Sequence, residues 1–432
     1  MRWWERQINT LMRTKQERTE RKADMESTLF INGNIILQDG ILEQGKLLVI
    51  GDRIQGIRPG EGERETSGNR DGGEEWPVLE KADKVVDLQG RYLAPGFIDI
   101  HVHGGGGGDF MDGKRESWQQ AMDAHLRHGT TSLCPTTLTA SMEEMEKVFS
   151  LHRMFCREQK PCRPRLLGVH MEGPCIAESM KGAQNAKYIR KPVEALTRWL
   201  LEKGAGALRI MTAAPELENA GEMARQFRET GVLLSVGHSD GRLEDVEQAV
   251  RDGYTMATHL YSSMSTIVRE NGMRRPGVLE AALLMDELDV EVIGDGMHLP
   301  ASLLKLIVKT KGTEHVILVT DAMRAADLPS GHYKLGSLKD GQTVWSDGEI
   351  ARMPDGISFA GSVATADRLI RVMHEEAGVP MWQAVNMMSR NPARALGEKE
   401  IGVLEPGKKA DLVSFDEHVR IHSVYRDGVE VI

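Results

Sequence analysis

The sequence predicts an α/β fold: a (β/α)8 barrel of the TIM type with a small β domain built from both chain ends. Three observations carry this. Between about residues 96 and 360, short apolar runs alternate with charged, helix-like stretches, the rhythm of repeated βα units and a parallel sheet. Eight such runs can be counted, and eight βα units in roughly 250 residues is the size of one barrel. Both flanks instead show short apolar runs punctuated by turn residues, as strands of a meander do.

The elements follow in order. Residues 1–27 form a polar, charge-rich leader without the apolar core of a signal peptide and are expected to be poorly ordered. Residues 28–57 read as hairpin strands, with turns at Asn32-Gly33 and Asp39-Gly40. Residues 59–78 are rich in Gly, Glu and Arg and read as an exposed loop. Strand signals resume at Lys84–Leu88. The eight barrel strands are predicted at Phe97–His103, Thr130–Pro135, Leu166–Glu172, Leu208–Ala213, Val232–His238, Thr255–His259, Val290–Asp295 and Val316–Asp321. Short strands return over 401–432. The expected division is therefore 28–95 plus 361–432 for the small domain and 96–360 for the barrel.

Composition excludes several function classes. The chain has 432 residues, 40% hydrophobic and 27% charged, an ordinary globular balance rather than a disordered one. No apolar run approaches the roughly 18 residues of a membrane span. A net charge of −10 argues against sequence-independent nucleic-acid binding, so positive charge for an anionic substrate must be local. Four cysteines (Cys134, Cys156, Cys162, Cys175) form no C-x-x-C pair and read as reduced thiols of a cytoplasmic protein. The 23 methionines read as core filling.

The chemistry is expected where the strands end, because barrels of this type build their sites at the C-terminal face. Strand one ends in His101-Val102-His103, strand three in His170-Met171-Glu172, strand five in His238 and strand six in His259. Strand seven is followed by Asp295 and His298, and strand eight ends in Asp321. Residues i and i+2 of a strand share a face, so His101 and His103 can converge on one ion. Glu172 could bridge two ions, with His238 and His259 closing the second position. Zn, Fe, Mn and Co all suit such donors, as one or two ions per subunit. A metal here would lower the pKa of water, and Asp321 could relay the proton to a leaving group. Singly, each residue has a plainer explanation: a buried histidine hydrogen-bonded in the core, or an aspartate capping the next helix. Their recurrence at successive strand ends favours the metal. His125 and His128, on the helix before strand two, read as structural or exposed. The run Gly104–Gly108 is not followed by G-K-[ST], so it is not a P-loop and reads as a flexible loop.

These residues lie in motifs that resemble a known family. LAPGFIDIHVHGGGG and GKKADLVSFD are similar to the amidohydrolase superfamily. HMEGP, GHSD, THLY, DGMHLP, LVTDAM and FAGS together resemble its N-acetylglucosamine-6-phosphate deacetylases. The resemblance spans roughly 28–432, apart from the 59–78 loop. It implies a metal-dependent deacetylase in which the small domain is a β-sandwich. Glu172, His238 and His259 match the principal metal ligands, and His101 and His103 a second position found in part of the family. Asp321 matches the catalytic acid/base and His298 a substrate-contacting histidine. It also implies a homodimer in which an arginine of the neighbouring subunit reaches the sugar phosphate. Arg274 is the best match, with Arg269 and Arg275 as rivals.

Three departures fall on the substrate side. Gln184 stands where many members have a histidine that polarises the amide carbonyl. Ser262-Ser263 replaces an Asn-Ala pair that touches the phosphate, and the segment between His259 and the arginines is longer. The expected reaction is metal-assisted hydrolysis of N-acetylglucosamine-6-phosphate to glucosamine-6-phosphate and acetate, with Gln184 or His298 stabilising the oxyanion. Two alternatives stay open: deacylation of another N-acyl substrate, such as an unphosphorylated or different acetamido sugar or an N-acyl amino acid, and an inactive sugar-phosphate-binding protein.

Overall fold

The computed structural model describes residues 26–60, 82–158, 160–356 and 358–432. Most of the predicted leader and of the 59–78 loop lies outside the described residues.

Eight parallel strands form the predicted barrel: β1 (Phe97–Val102), β2 (Thr130–Thr137), β3 (Val169–Glu172), β4 (Leu208–Ala213), β5 (Leu233–Val236), β6 (Tyr254–Ala257), β7 (Asp289–Ile293) and β8 (Val316–Val319). Each pairs with the next in sequence order, and helices fill most connections. The sheet closes where β8 returns to β1, through a bridge between Val102 and Ala322 and a bond from Asp321 N–H to His101 C=O (2.9 Å).

The sequence explains the helices simply. In Leu243–Asp252, Val246 and Ala249 are buried at helical spacing, with Leu243 and Val250 packed beside them. Asp245 accepts from the Arg242 N–H (2.7 Å) at the start. Gly253, at φ +111°, ends the helix in a backbone that a side chain would resist. Two other helices recur below: α1 (Arg115–Arg127) and α2 (Met142–Glu158).

Inside the barrel the alternation of strand residues sorts polar from apolar. Ile210 and Met256 share a buried apolar cluster with Ile317 and Val319. Two residues further along each strand, Thr212 and Thr258 hydrogen-bond to each other (2.7 Å), and Ser235 joins Thr258 (2.6 Å). The barrel is thus apolar at one level and polar nearer the mouth.

The chain ends meet in one eight-stranded sheet. Its central path runs Ile421–Arg426, Leu412–Phe415, Tyr92–Pro95, Ser27–Ile36, Ile41–Ile50, Arg53–Arg58. Leu412–Phe415 pairs antiparallel with Tyr92–Pro95, joining C-terminal to N-terminal chain. Phe415 of this sheet packs on Phe97 of the barrel (6.2 Å between ring centres). The helical stretch 366–395 also packs into the barrel's main buried cluster, through residues such as Leu369, Met373 and Val385.

Candidate active site

Glu172, at the end of β3, is the centre of the cluster. Its Oε1 lies 2.9 Å from both His238 Nε2 and His259 Nε2 and 3.6 Å from His101 Nε2. Its Oε2 lies 3.4 Å from His103 Nε2 and accepts from the Gln184 amide. Asp321 Oδ1 stands 3.0 Å from His103 Nε2 and 3.5 Å from His101 Nε2. The five expected metal ligands and Asp321 are therefore in one buried group.

Local backbone aims these side chains. His238, His259 and Asp321 have φ of 49°, 24° and 48°, a left-handed region that non-glycine residues rarely occupy. Each sits where its strand stops pairing and turns away. Partners then fix each ring: His238 Nδ1 bonds Met180 C=O (2.8 Å), His101 Nδ1 bonds Glu291 Oε2 (2.9 Å), and His103 Nδ1 faces Thr136 C=O (3.3 Å). In each case Nε2 is left to face the cluster.

Electrostatics follow burial and neighbours. Burial opposes charge on His103 and His259, but hydrogen bonds and charge from Asp321 and Glu172 respectively outweigh it and raise both to about 9. His101 has no such direct bond at Nε2, and burial lowers it to about 4. For Glu172 and Asp321 burial pulls upward, yet the surrounding imidazoles hold both carboxyls below their usual range.

The donors pass a simple test for a metal. His101 Nε2 is buried and has no hydrogen-bond partner among the described residues. Yet it shares close quarters with His103 and Asp321 on one side and with Glu172 and His259 on the other. Such a set of imidazole and carboxylate donors matches divalent transition ions and leaves the metal's identity open.

The cluster forms the floor of a pocket of about 260 Å3. Gln184, Ser262, Ser263 and His298, all named from the sequence, line its walls. Gln184 Oε1 accepts from Thr139 N–H (2.7 Å), which fixes its amide NH2 toward Glu172. His298 Nδ1 bonds Asp295 Oδ2 (2.8 Å), and its ring rests on Phe359 (4.6 Å). Gly182 is required here: a Cβ would lie 2.5 Å from Ser263 Oγ, and φ is +53°. Arg269, Arg274 and Arg275 are elsewhere, on an exposed hairpin (Val268–Glu270 and Met273–Arg275) that does not line the pocket.

Sequence reasoning did not select several neighbours. Glu291 lies in the middle of β7, fully buried, and burial pushes it up to about 7. Asp99, in β1, is likewise raised by burial to about 7 and accepts from Thr320 Oγ1 (2.5 Å). His170, named at the end of strand three but given no role there, bonds Ile100 C=O (2.9 Å) and Thr212 Oγ1 (2.7 Å). Glu291 and Asp99 are each a single acid inside an apolar run, DVEVI or FIDIHV, and burial on the folded strand is what marks them. Of the two helical histidines, His125 is buried with Nε2 on Gly104 C=O (2.9 Å), and His128 bridges two aspartates.

A parallel barrel with imidazole and carboxylate groups gathered at its C-terminal mouth defines a (β/α)8 hydrolase. More narrowly, the chain belongs to the amidohydrolase family, whose model matches residues 92–431, and within it to the N-acetylglucosamine-6-phosphate deacetylases. The N-acetylglucosamine-6-phosphate deacetylase of Lysinibacillus sphaericus is 34% identical over 353 residues, 79% of this chain and 86% of the relative. An N-acetylgalactosamine-6-phosphate deacetylase of Escherichia coli O157:H7 is 31% identical over 346 residues, 80% and 89% of the two chains. A mutant N-acetyl-D-glucosamine-6-phosphate deacetylase of Mycobacterium smegmatis, solved with N-acetyl-D-glucosamine-6-phosphate, superposes with a TM-score of 0.82 at 29% identity, covering 94% of this chain and all of that one.

Proposed function

We propose that the protein is a metal-dependent deacetylase that hydrolyses N-acetylglucosamine-6-phosphate to glucosamine-6-phosphate and acetate. The observation that carries this is the Glu172-centred cluster opening into a pocket of sugar size, in a chain whose relatives share that activity by name. Glu172, His238 and His259 would hold one divalent ion, and His101 and His103 would offer a second position beside it. When bound, such an ion supplies a Lewis acid that polarises the acetamide carbonyl and acidifies water at the site.

The chain's own groups do the rest. Asp321, held as a carboxylate beside the imidazoles of His101 and His103, takes the proton of the attacking water. It passes that proton to the sugar nitrogen as the C–N bond breaks, giving acetate and the free amine. His298, fixed at Nδ1 by Asp295, keeps Nε2 for the substrate, and it or Gln184 stabilises the oxyanion. Gln184 can donate there without carrying charge. Ser262 and Ser263 face the sugar or its phosphate. The exposed hairpin supports a homodimer in which Arg274, with Arg269 and Arg275 beside it, reaches the partner's pocket. No helix among the described residues is long and apolar enough to cross a membrane, and four free cysteines support a cytoplasmic location.

The test is acetate release by the metal-analysed protein from N-acetylglucosamine-6-phosphate, from the same sugar without phosphate, and from N-acetylgalactosamine-6-phosphate. Strong preference for the first is expected. Preference for the galactosamine epimer would move the assignment to the activity named for the E. coli relative. Equal rates with and without phosphate, or no turnover, would overturn the reading.

A further inference from the structure

A second cavity, of about 250 Å3, lies where the terminal sheet meets the barrel. It is remote from the mouth. Leu166, one of its lining residues, pairs with Leu133 in the middle of β2, whereas Met171, next to Glu172, pairs with Thr137 at the C-terminal end of that strand. Its walls come from the segment after α2 (Lys160, Arg163, Arg165) and from the C-terminal part of the sheet (Lys409, Arg426). Asp427 is the one carboxylate residue lining it.

The charges there do not balance. Asp427 receives Arg165 (3.0 Å), Lys409 (3.3 Å) and Arg426, and Lys409 also pairs with Asp52 outside the lining. Arg165 has a second partner in Asp411 (3.1 Å), and Arg163 has Glu158 (3.2 Å). Even so, the Nε of Arg165 and the Nε of Arg426 are both buried without a hydrogen-bond partner among the described residues. Arg426 as a whole is only 6% exposed. Five cationic side chains and one carboxylate thus line the cavity, a lining that favours an acceptor-only anion. Burial, aided by the nearby Arg165, lowers Arg426 to about 10, so it is still a cation at neutral pH, though a destabilised one. Apolar groups, Met122 and Phe155 among them, complete the wall.

We propose that this cavity binds a phosphate group, as inorganic phosphate or as the head of a small phosphomonoester. Arg165, Arg426 and Lys409 stand in its wall, and Lys160 and Arg163 close the rim. A tetrahedral dianion suits this set: it offers several acceptors to donors arriving from different elements, and its charge offsets the cationic excess. The cavity has room for more than the phosphate, and its apolar side suits the body of an ester. Because the donors come from both the barrel and the terminal sheet, the ligand would tie the two together. The proposal does not depend on the activity at the mouth.

Hydrogen–deuterium exchange of the full-length, metal-loaded protein tests it locally, comparing inorganic phosphate with chloride at equal ionic strength. Slower exchange is expected at 154–166 and 424–428. Lys160 is exposed, so Lys160→Glu folds normally and is expected to weaken the phosphate effect about tenfold or more, the loss of one charge-assisted contact. Lys160→Glu combined with Arg163→Gln should remove it. Glucose-6-phosphate, which has no acetamide, separates the two sources: stronger protection assigns the site to esters, weaker protection to free phosphate. No protection, protection confined to the barrel mouth, or protection unchanged in both variants overturns the site.

Discussion

His238, His259 and Asp321 sit in backbone that costs roughly 1–3 kcal/mol at a non-glycine residue. The cost falls where three strands turn their last side chain over the mouth. Asp321 is the most specific of the three, because its proposed task is proton transfer rather than support. Asp321→Asn preserves shape and removes the base, so turnover is expected to fall by about 10^2 to 10^4. Bound metal, measured on the same sample, should be largely retained by the four histidines and Glu172. Near-normal turnover would sink the assignment, and joint loss of metal and turnover would make Asp321 a ligand instead. At this scale the strand-end residues were legible because imidazoles and carboxylates recur at the ends of apolar runs. Glu291 and Asp99 were not, because a single acid inside DVEVI or FIDIHV resembles the polar half of an alternating strand. What marks them is burial on a strand with two covered faces, and that requires the fold.

At the level of elements, predicted strands ran past observed ones for a physical reason. His103, His238, His259, Asp295 and Asp321 were read as strand termini, yet β1, β5, β6, β7 and β8 end before them. The pairing stops so that these residues can turn inward, which residue type alone does not reveal. The hairpin at 268–275 and the three-stranded sheet of Gly331–Leu335, Gln342–Ser346 and Ala351–Arg352 were also unread, since strands of two to five residues are too short to show a period. Helix ends carry their own chemistry. His128 follows α1 and reaches Asp367 (3.1 Å) and Asp327 (3.3 Å), tying that helix to segments after β8. Burial alone would lower its pKa, but the hydrogen bonds and charges of the two aspartates outweigh this and raise it. A raised folded pKa gives stability that is complete below the unfolded value of about 6.5 and fades as pH rises through the folded value. His128→Gln should therefore destabilise by on the order of 1 kcal/mol near about pH 6 and by less near about pH 9. Denaturant unfolding at both pH values checks this, and an equal loss at both would show that the ring acts by packing alone.

Across the whole molecule, the terminal sheet has two occupied faces. Val413 and Phe415 belong to the buried cluster that also holds Phe97, Leu133 and Val169 of the barrel. Leu412 and Tyr425 point to the other face, into a cluster with Phe30, Leu47 and Leu93. Alternation along Leu412–Phe415 thus joins the sheet's own core to the barrel's. Both flanks were legible as strands, but the pairing of Leu412 with Pro95 was not, because no local pattern encodes a partner more than three hundred residues away. This arrangement predicts how the protein unfolds. Phe415 is fully buried, stacked on Tyr92 (5.5 Å) and close to Phe97, at the joint of the two bodies. Removing it leaves a cavity shared by both, at a cost of about 3–5 kcal/mol for Phe415→Ala. If the sheet and the barrel are one cooperative unit, both wild type and variant unfold in a single denaturant transition, with near-ultraviolet and far-ultraviolet signals coincident and the variant's midpoint lower. A variant whose sheet is lost first, while turnover at the mouth persists, would instead show that the barrel stands without the strands that its chain ends supply.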